Sequence, residues 1–569
     1  MESRGGSNEG ERRLDALHTG AAPAFSCIAD GRSRPDIYAM NGELPTSRVR
    51  FGWPETLILL ALAFELVVAL TAHHFPYQDP SNHLARYTLI SRIWFGDPPG
   101  YVVMRWVPTG YIAVDLVGAL LVHYVGAVAT LHILVAASLI LLPLGMYALL
   151  LQSAPTQRGW ALVGVLFGFA SYFMIGFLNF SIGLGLTFCW LALWYPRRAT
   201  ASWTARILLA LGAIVLYLVH LAVPLMALVV IWTDWGVEVI GEHVLRPPRQ
   251  WKLVNSRLPT VLVITAGVAL IWFAASYSTR NFVSPPGEYI FHLPGYKTQL
   301  LFDPFWSVSQ PATIAMAAGY LLSLWAMLYV RRDTLRMDSL MASGVIMFVL
   351  YLLFPAGMPG SGAVDVRWLP AGYLLLFCGR QRDPDEEESL LDYGRERVPD
   401  TEPLLALLVP FLACVVHTAL INRTAHKVDK LLDQYQAALT HVPPHTNLLP
   451  LGDAVTKFSR TPVLRHFVFW HVINAHGRAP GLFNYYDVHE GDPLNINLAH
   501  FLEPKHLYLA ESEWGDEQNT PPLPWKRIDR EYDYIMQLAG GSRVEAYLKQ
   551  HADEVWHDNI FHLYKVRKQ

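Results

Sequence analysis

A carboxylate, an imidazole and a guanidinium follow the first long apolar run of this 569-residue chain at spacings that suit one helix face. The run ends at Ala72 and leads into HHFPYQDPSNHLAR, residues 73–86. Asp79-Pro80 is a good helix start, because aspartate caps and proline fits the first turn. A helix over 80–95 then lines up Asp79, His83, Arg86 and Ile90 at steps of four, three and four. Such a face can move a proton, with Asp79 as the catalytic group and His83 and Arg86 as substrate contacts. The stretch has a second chemistry. His73, His74, Asp79 and His83 are suitable ligands for a divalent metal, although their spacing follows no tight metal signature. Interfacial histidines resting on lipid headgroups are the plain alternative.

Two arginines further along could meet an anion. Arg280 opens a stretch from about 277 to 310, and Arg367 sits in AVDVRWLP where an apolar run begins. An arginine at that depth is costly unless it snorkels or pairs with negative charge. Guanidinium forks grip phosphate oxygens at two points, so a lipid-borne phosphate is the candidate ligand. Polar residues also interrupt apolar runs: Glu65, Asp115, Asn179, His220 and Asp365. Turn chemistry accounts for Asn179 in GFLNFSIG and for His220 in YLVHLAVP, while both remain candidate substrate contacts. Asp115 has Arg105 and Arg280 as possible partners.

The elements that must carry these residues are membrane helices. The chain is 53% hydrophobic and 16% charged, where soluble domains run nearer a quarter charged. Eighteen Trp, 26 Tyr and 26 Phe suit many membrane interfaces. A net charge of −3 gives no basic field for nucleic acid. Four cysteines, with no C-x-x-C among them, exclude a disulfide framework and a cysteine metal site. No nucleotide-binding glycine fingerprint occurs.

Eleven runs approach the roughly 20 apolar residues that a span needs: 54–72, 127–151, 160–176, 180–195, 206–220, 222–235, 259–276, 311–330, 338–355, 365–379 and 403–421. Orientation follows from lysine and arginine, which favour cytoplasmic loops. With a cytoplasmic N-terminus and 111–126 lying at the interface or re-entering, the loops near 158, 197–206, 246–257, 331–336 and 380–397 carry fifteen Lys/Arg. The opposite loops carry six: Arg86, Arg92, Arg105, Arg280, Lys297 and Arg367. A spanning 111–126 would reverse that bias.

The expected organisation is therefore a disordered cytoplasmic tail over 1–50 and a transmembrane domain over 51–421, with external loops 73–126 and 277–310. An extracytoplasmic α/β domain follows over 422–569. That last part mixes an amphipathic helix pattern at 426–439 with short apolar runs, NLLPL, HFVFW, HLYLA and YDYIM, punctuated by proline. Its twelve histidines from His426 to His562 are scattered, and their spacing gives them no chemistry.

The segments QDPSNHLARY (78–87), VPTGYIAVDL (107–116), GFLNFSIGLGL (176–186), HLAVPLMAL (220–228) and DVRWLP (365–370) resemble poorly characterised bacterial members of the GT-C superfamily of integral membrane glycosyltransferases. The resemblance covers about 54–421. It implies a multi-pass α-helical fold in the plasma (inner) membrane, a polyprenyl-phosphate-linked sugar as donor, and inverting transfer to a glycan, lipid or protein acceptor on the outer face. It makes Asp79 the general base and sets Arg367 and Arg280 against the departing phosphate. Many members pair two acids in the first loop, whereas Asp79 has no adjacent second acid; Asp97 and Asp115 are the nearest. Two other classes fit the same plan: a transporter or flippase of lipid-linked glycans, and a non-catalytic membrane scaffold with an external binding domain. Absent repeat symmetry counts against the transporter.

Overall fold

In hydrocarbon every backbone N–H and C=O must be satisfied within its own segment, so a long apolar run becomes a helix. The computed structural model describes residues 51–99, 102–103, 108, 110–245, 251–279, 289–330, 337–357, 364–379, 404–451, 459, 463–464, 466–479, 497–498, 525–538 and 542–568. The N-terminal tail, Arg105, Arg280 and the HLYLA run lie outside the described residues.

The helices in chain order are α1 (Trp53–Thr71), α2 (Pro80–Phe95), α3 (Ile112–Val125), α4 (Ala127–Ser153), α5 (Ala161–Leu166), α6 (Ser171–Ile175), α7 (Leu178–Trp194), α8 (Trp203–Val219), α9 (Ala222–Leu245) and α10 (Trp251–Thr279). They continue as α11 (Pro294–Leu300), α12 (Gln310–Val330), α13 (Ser339–Leu353), α14 (Trp368–Leu375), α15 (Leu404–Leu439), α16 (Phe469–Ala475), α17 (Trp525–Glu531) and α18 (Ser542–His551). Each of the eleven expected runs falls on helix. Eight segments among the described residues are long and apolar enough to cross a membrane, and Trp203–Val219, Ser339–Leu353 and Trp368–Cys378 are shorter apolar helices. The doubtful 111–126 is α3, whose 14 residues reach about 21 Å at 1.5 Å per residue, short of a ~30 Å hydrocarbon core.

Local chemistry sets several starts. Ser202 accepts from the Ala205 N–H at 3.2 Å to cap α8, and Asp338 accepts from the Met341 N–H at 2.9 Å to cap α13. The innermost segment, Pro155–Ile175, is almost wholly buried. It is broken between α5 and α6. Small residues let backbones touch: a Cβ on Gly145 of α4 would sit 2.6 Å from the Gly185 carbonyl of α7.

Charge divides the bundle. At the end where α1 starts, Arg158 Nε donates to Glu55 at 2.6 Å. At that same end Asp234 accepts from Arg257 at 2.9 Å and from the Ser339 hydroxyl at 2.6 Å. At the other end α2 and α3 lie together. Tyr87 fills the space where Gly118 lacks a Cβ, and Arg86 donates to Asp115 Oδ2 at 2.6 Å with both side chains buried.

The 36-residue α15 spans about 54 Å, so it outruns the bilayer and passes unbroken through residue 422. Its far half buries Val428, Leu431, Leu432, Tyr435 and Leu439, with the Tyr435 ring stacked 4.9 Å from Phe561. The strands are β1 (Val102–Val103), β2 (Leu448–Leu451), β3 (Asn497–Leu498), β4 (Tyr534–Leu538), β5 (Ala552–His557) and β6 (Phe561–Val566). One sheet has the order β2-β4-β6-β5; β2 pairs parallel to β4 and the rest are antiparallel. β1 pairs antiparallel with β3, Val102 opposite Leu498, which ties the first loop to the C-terminal part. NLLPL and YDYIM enter the sheet. HFVFW does not, because i→i+3 bonds such as Phe469 N–H to the His466 carbonyl curl it into turns leading to α16.

The Arg86–Asp115 pair gives a stability test. Asp115→Ala leaves Arg86 buried without that carboxylate and should cost about 3–5 kcal/mol. The double variant Arg86→Met, Asp115→Leu should recover most of it. Thermal unfolding in detergent micelles checks both.

Candidate functional site

After α1 the chain crosses the bundle end through a series of bends, the Tyr77 N–H donating to the Phe75 carbonyl at 2.8 Å. The Gln78 N–H donates to the Met174 carbonyl at 3.2 Å and the Asp79 N–H to the Ile175 carbonyl at 3.1 Å. Asp79 thereby lies against the turn between α6 and α7. That turn contains Gly176, whose φ of +99° is left-handed and suits glycine. A Cβ there would meet the Asp79 nitrogen and Pro80 Cδ at 2.8 Å each. The Asp79 carbonyl accepts from the Asn82 and His83 N–H groups, which starts α2, but the expected side-chain cap is not made.

Instead the carboxylate faces the C-terminal part of the chain. Asp79 Oδ1 lies 3.3 Å from His466 Nε2, and both side chains are buried. Ser81 Oγ donates to the His466 carbonyl at 2.7 Å. Asn82 Nδ2 lies 3.3 Å from His466 Nδ1. With the amide donating to Nδ1, the imidazole carries its proton on Nε2, the nitrogen nearer Asp79. Among twelve scattered histidines, this one is brought to the acid from a point 385 residues beyond Ser81.

The other residues of the α2 face do separate things. His83 is buried with its ring 6.2 Å from Tyr87; burial and then the Arg86 charge push its pKa down to about 3. Arg86 is turned toward Asp115. That charge-assisted bond gives Asp115 a partner in Arg86; Arg105 and Arg280, the partners expected for it, lie outside the described residues.

Arg367 stands at the start of α14 with its guanidinium 5.2 Å from the Phe177 ring. Phe177 directly follows Gly176, so Asp79 and Arg367 touch the same short turn. His220, between α8 and α9, has Tyr111 and Phe180 edge-on at 4.7 and 5.2 Å, and its Nδ1 accepts from the Ala222 N–H at 3.1 Å. Burial and then the Arg367 charge hold its pKa well below the usual range. Asn179 Oδ1 accepts from the Tyr87 hydroxyl at 3.4 Å. Both side chains are buried supports behind the turn.

Ser171, Tyr172, Phe177, Phe180, Asp303 and Arg367 line one cavity. Asp303 was not singled out by sequence. Burial, with Asp365 adding, raises its pKa, while the Ser171 hydroxyl donating at 3.1 Å works the other way. Asp365 lies 3.6 Å from the buried Lys297 ammonium. Lys297 also donates to the Tyr351, Leu352 and Phe354 carbonyls at the end of α13. The cavity thus brings a guanidinium and a carboxyl group to one lining.

The metal ligands regroup. His73 and His74 meet Asp433 of α15 with one ligand atom each inside 4.8 Å. Asp79 and His83, expected beside them, do not belong to this cluster, because the start of α2 turns them into the protein interior.

No protein-family model matches the chain, and no curated protein does. Among solved structures it is similar to ArnT from Cupriavidus metallidurans in the apo state, at 14% identity and a TM-score of 0.49, covering 90% of this chain and 97% of that one. The same protein bound to undecaprenyl phosphate gives 14% identity and 0.48, with 90% and 98% covered. The arabinofuranosyltransferase AftD from Mycobacteria gives 13% identity and 0.45, covering 90% of this chain and 40% of that chain.

Two predictions follow from the geometry. Gly176→Ala puts a methyl against the Asp79 backbone in a left-handed turn, a strain of about 1–2 kcal/mol. It should speed hydrogen exchange at the Gln78 and Asp79 amides while leaving peptides of α12 unchanged. For His83, the folded pKa lies below the unfolded one near 6.5, so between about pH 3 and 6.5 the unfolded chain binds more protons. Stability must therefore fall as pH drops through that window. His83→Gln should blunt the loss of thermal midpoint between pH 7 and 4.5.

Proposed function

We propose that this chain is a GT-C-type membrane glycosyltransferase that moves a sugar from a polyprenyl-phosphate-linked donor to an acceptor hydroxyl at the non-cytoplasmic face of the plasma (inner) membrane. The observation that carries the reading is the approach of Asp79 and Arg367 to one short turn, residues 175–177. This turn lies at the bundle end opposite the Arg158 and Arg257 clusters. Positive charge gathers in cytoplasmic loops, which supports a cytoplasmic N-terminus and an extracytoplasmic C-terminal domain over 422–569.

In the proposed step Asp79 takes the acceptor proton. The acceptor oxygen forms a bond to the anomeric carbon as the bond from that carbon to the phosphate oxygen breaks, and the electron pair leaves with the phosphate. One displacement inverts the centre. His466, with Nε2 3.3 Å from Asp79 Oδ1, seats the C-terminal part against the carboxylate. Arg367, with Arg280 as a second candidate, matches the growing charge on the phosphate. His83, Asn179 and His220 shape the wall behind the reactants, and Arg86–Asp115 braces it. Phosphate is a competent leaving group once its charge is met, so orientation supplies much of the rate.

The test is transfer of labelled sugar from a polyprenyl-phosphate donor by the purified full-length chain in proteoliposomes. Asp79→Asn should cut turnover by about 10²–10⁴-fold, the usual worth of a general base, with the thermal midpoint retained. Arg367→Lys keeps the charge but not the fork and should lower turnover less than Arg367→Met. An Asp79→Asn variant at full rate removes the mechanism.

A further inference from the structure

We infer that His73, His74 and Asp433 form a binding site for a late first-row divalent metal, zinc above all, which clamps the segment before Asp79 onto α15. The two histidines directly follow the end of α1, and Asp429 and Asp433 lie four apart on α15, hence on one face. Asp429 is the setting for the imidazoles. Its carboxylate accepts from both main-chain N–H groups, His73 at 3.3 Å and His74 at 2.5 Å, so the two side chains leave a fixed backbone. Their rings lie 4.2 Å apart and tilted by 39°, presenting different nitrogens toward one carboxylate oxygen. Asp433 Oδ1 is 2.7 Å from His73 Nδ1 and 3.6 Å from His74 Nε2.

Asp433 Oδ1 and one nitrogen of each imidazole lie within 4.8 Å of one another. Ligands about 2.1 Å from a tetrahedral zinc stand roughly 3.4 Å from one another, so small side-chain rotations would seat the ion. Two imidazoles with one carboxylate suit zinc and its neighbours; calcium and magnesium want more oxygen. The cluster opens onto a cavity lined also by His132 of α4, Leu131, Leu432 and Trp470. Half-exposed Asp433 leaves an entry path, and water could fill the remaining position. The site joins the segment after α1 to α15, far apart in sequence, and needs no glycosyl transfer to exist.

The experiment uses the full-length chain in detergent, freed of any histidine tag and stripped with chelator, then dialysed against zinc or cobalt(II). One metal per chain should bind, cobalt should give the visible absorption of a tetrahedral site, and zinc should raise the thermal midpoint. His74→Gln and Asp433→Asn should each weaken binding at least 100-fold and abolish the cobalt spectrum. Asp429→Asn, acting behind the ligands, should weaken it about 10–100-fold. His557→Ala with His562→Ala, which removes the separate histidine pair around Glu554, should change nothing. Absence of stoichiometric binding to the folded chain would show a plain histidine–aspartate ion pair and overturn the proposal. So would binding that survives in folded His74→Gln and Asp433→Asn, or that disappears with the His557 and His562 pair.

Discussion

Two main-chain hydrogen bonds, from Gln78 to Met174 and from Asp79 to Ile175, hold the candidate site together. Backbone leaving a helix at a membrane surface must find partners that water or hydrocarbon does not supply in a fixed geometry. Here the bent segment after α1 finds them on the turn between α6 and α7. That turn belongs to the most deeply buried strip of the bundle, so the acid inherits the rigidity of the core. The arrangement depends on one residue without a side chain: Gly176 supplies both the left-handed backbone and the empty space that lets Asp79 approach.

Around this contact several charged side chains brace the protein. Arg86 is spent on Asp115, and Lys297 on the carbonyls closing α13 with Asp365 beside it. Arg367 packs its guanidinium on the Phe177 ring at the edge of a cavity. His466 is a different kind of device. It reaches the site from the C-terminal part, so the acid is complete only when that part is seated.

What sequence made legible was whatever is encoded locally. The apolar runs, the start of α2 at Pro80 and the mixed texture after residue 422 follow from composition and period. Asp79 and Arg367 stood out because an acid beside a span and an arginine entering one are costly and hence noticeable. The misses are long-range. His466 carries no local spacing that sets it apart from eleven other histidines; its meaning comes from tertiary docking. Asp303 repeats the acid-proline pair of Asp79-Pro80 in the stretch 277–310, and that parallel was the available signal. The packing of α2 on α3, through Gly118 and Tyr87, brings Arg86 to Asp115, a pairing that spacing along the chain did not indicate. HFVFW read as strand-like because alternation of large apolar residues cannot tell a strand from a tight turn feeding a helix.

The unbroken course of α15 has a mechanical consequence. A single helix that begins among the membrane segments and ends beneath the sheet has no hinge at residue 422. Tilting its inner half swings its outer half as a stiff lever, and with it the imidazole lent to Asp79. Seams for recombining such a protein with another terminal module therefore lie beyond residue 439, since a join at 422 would saw through the shaft itself.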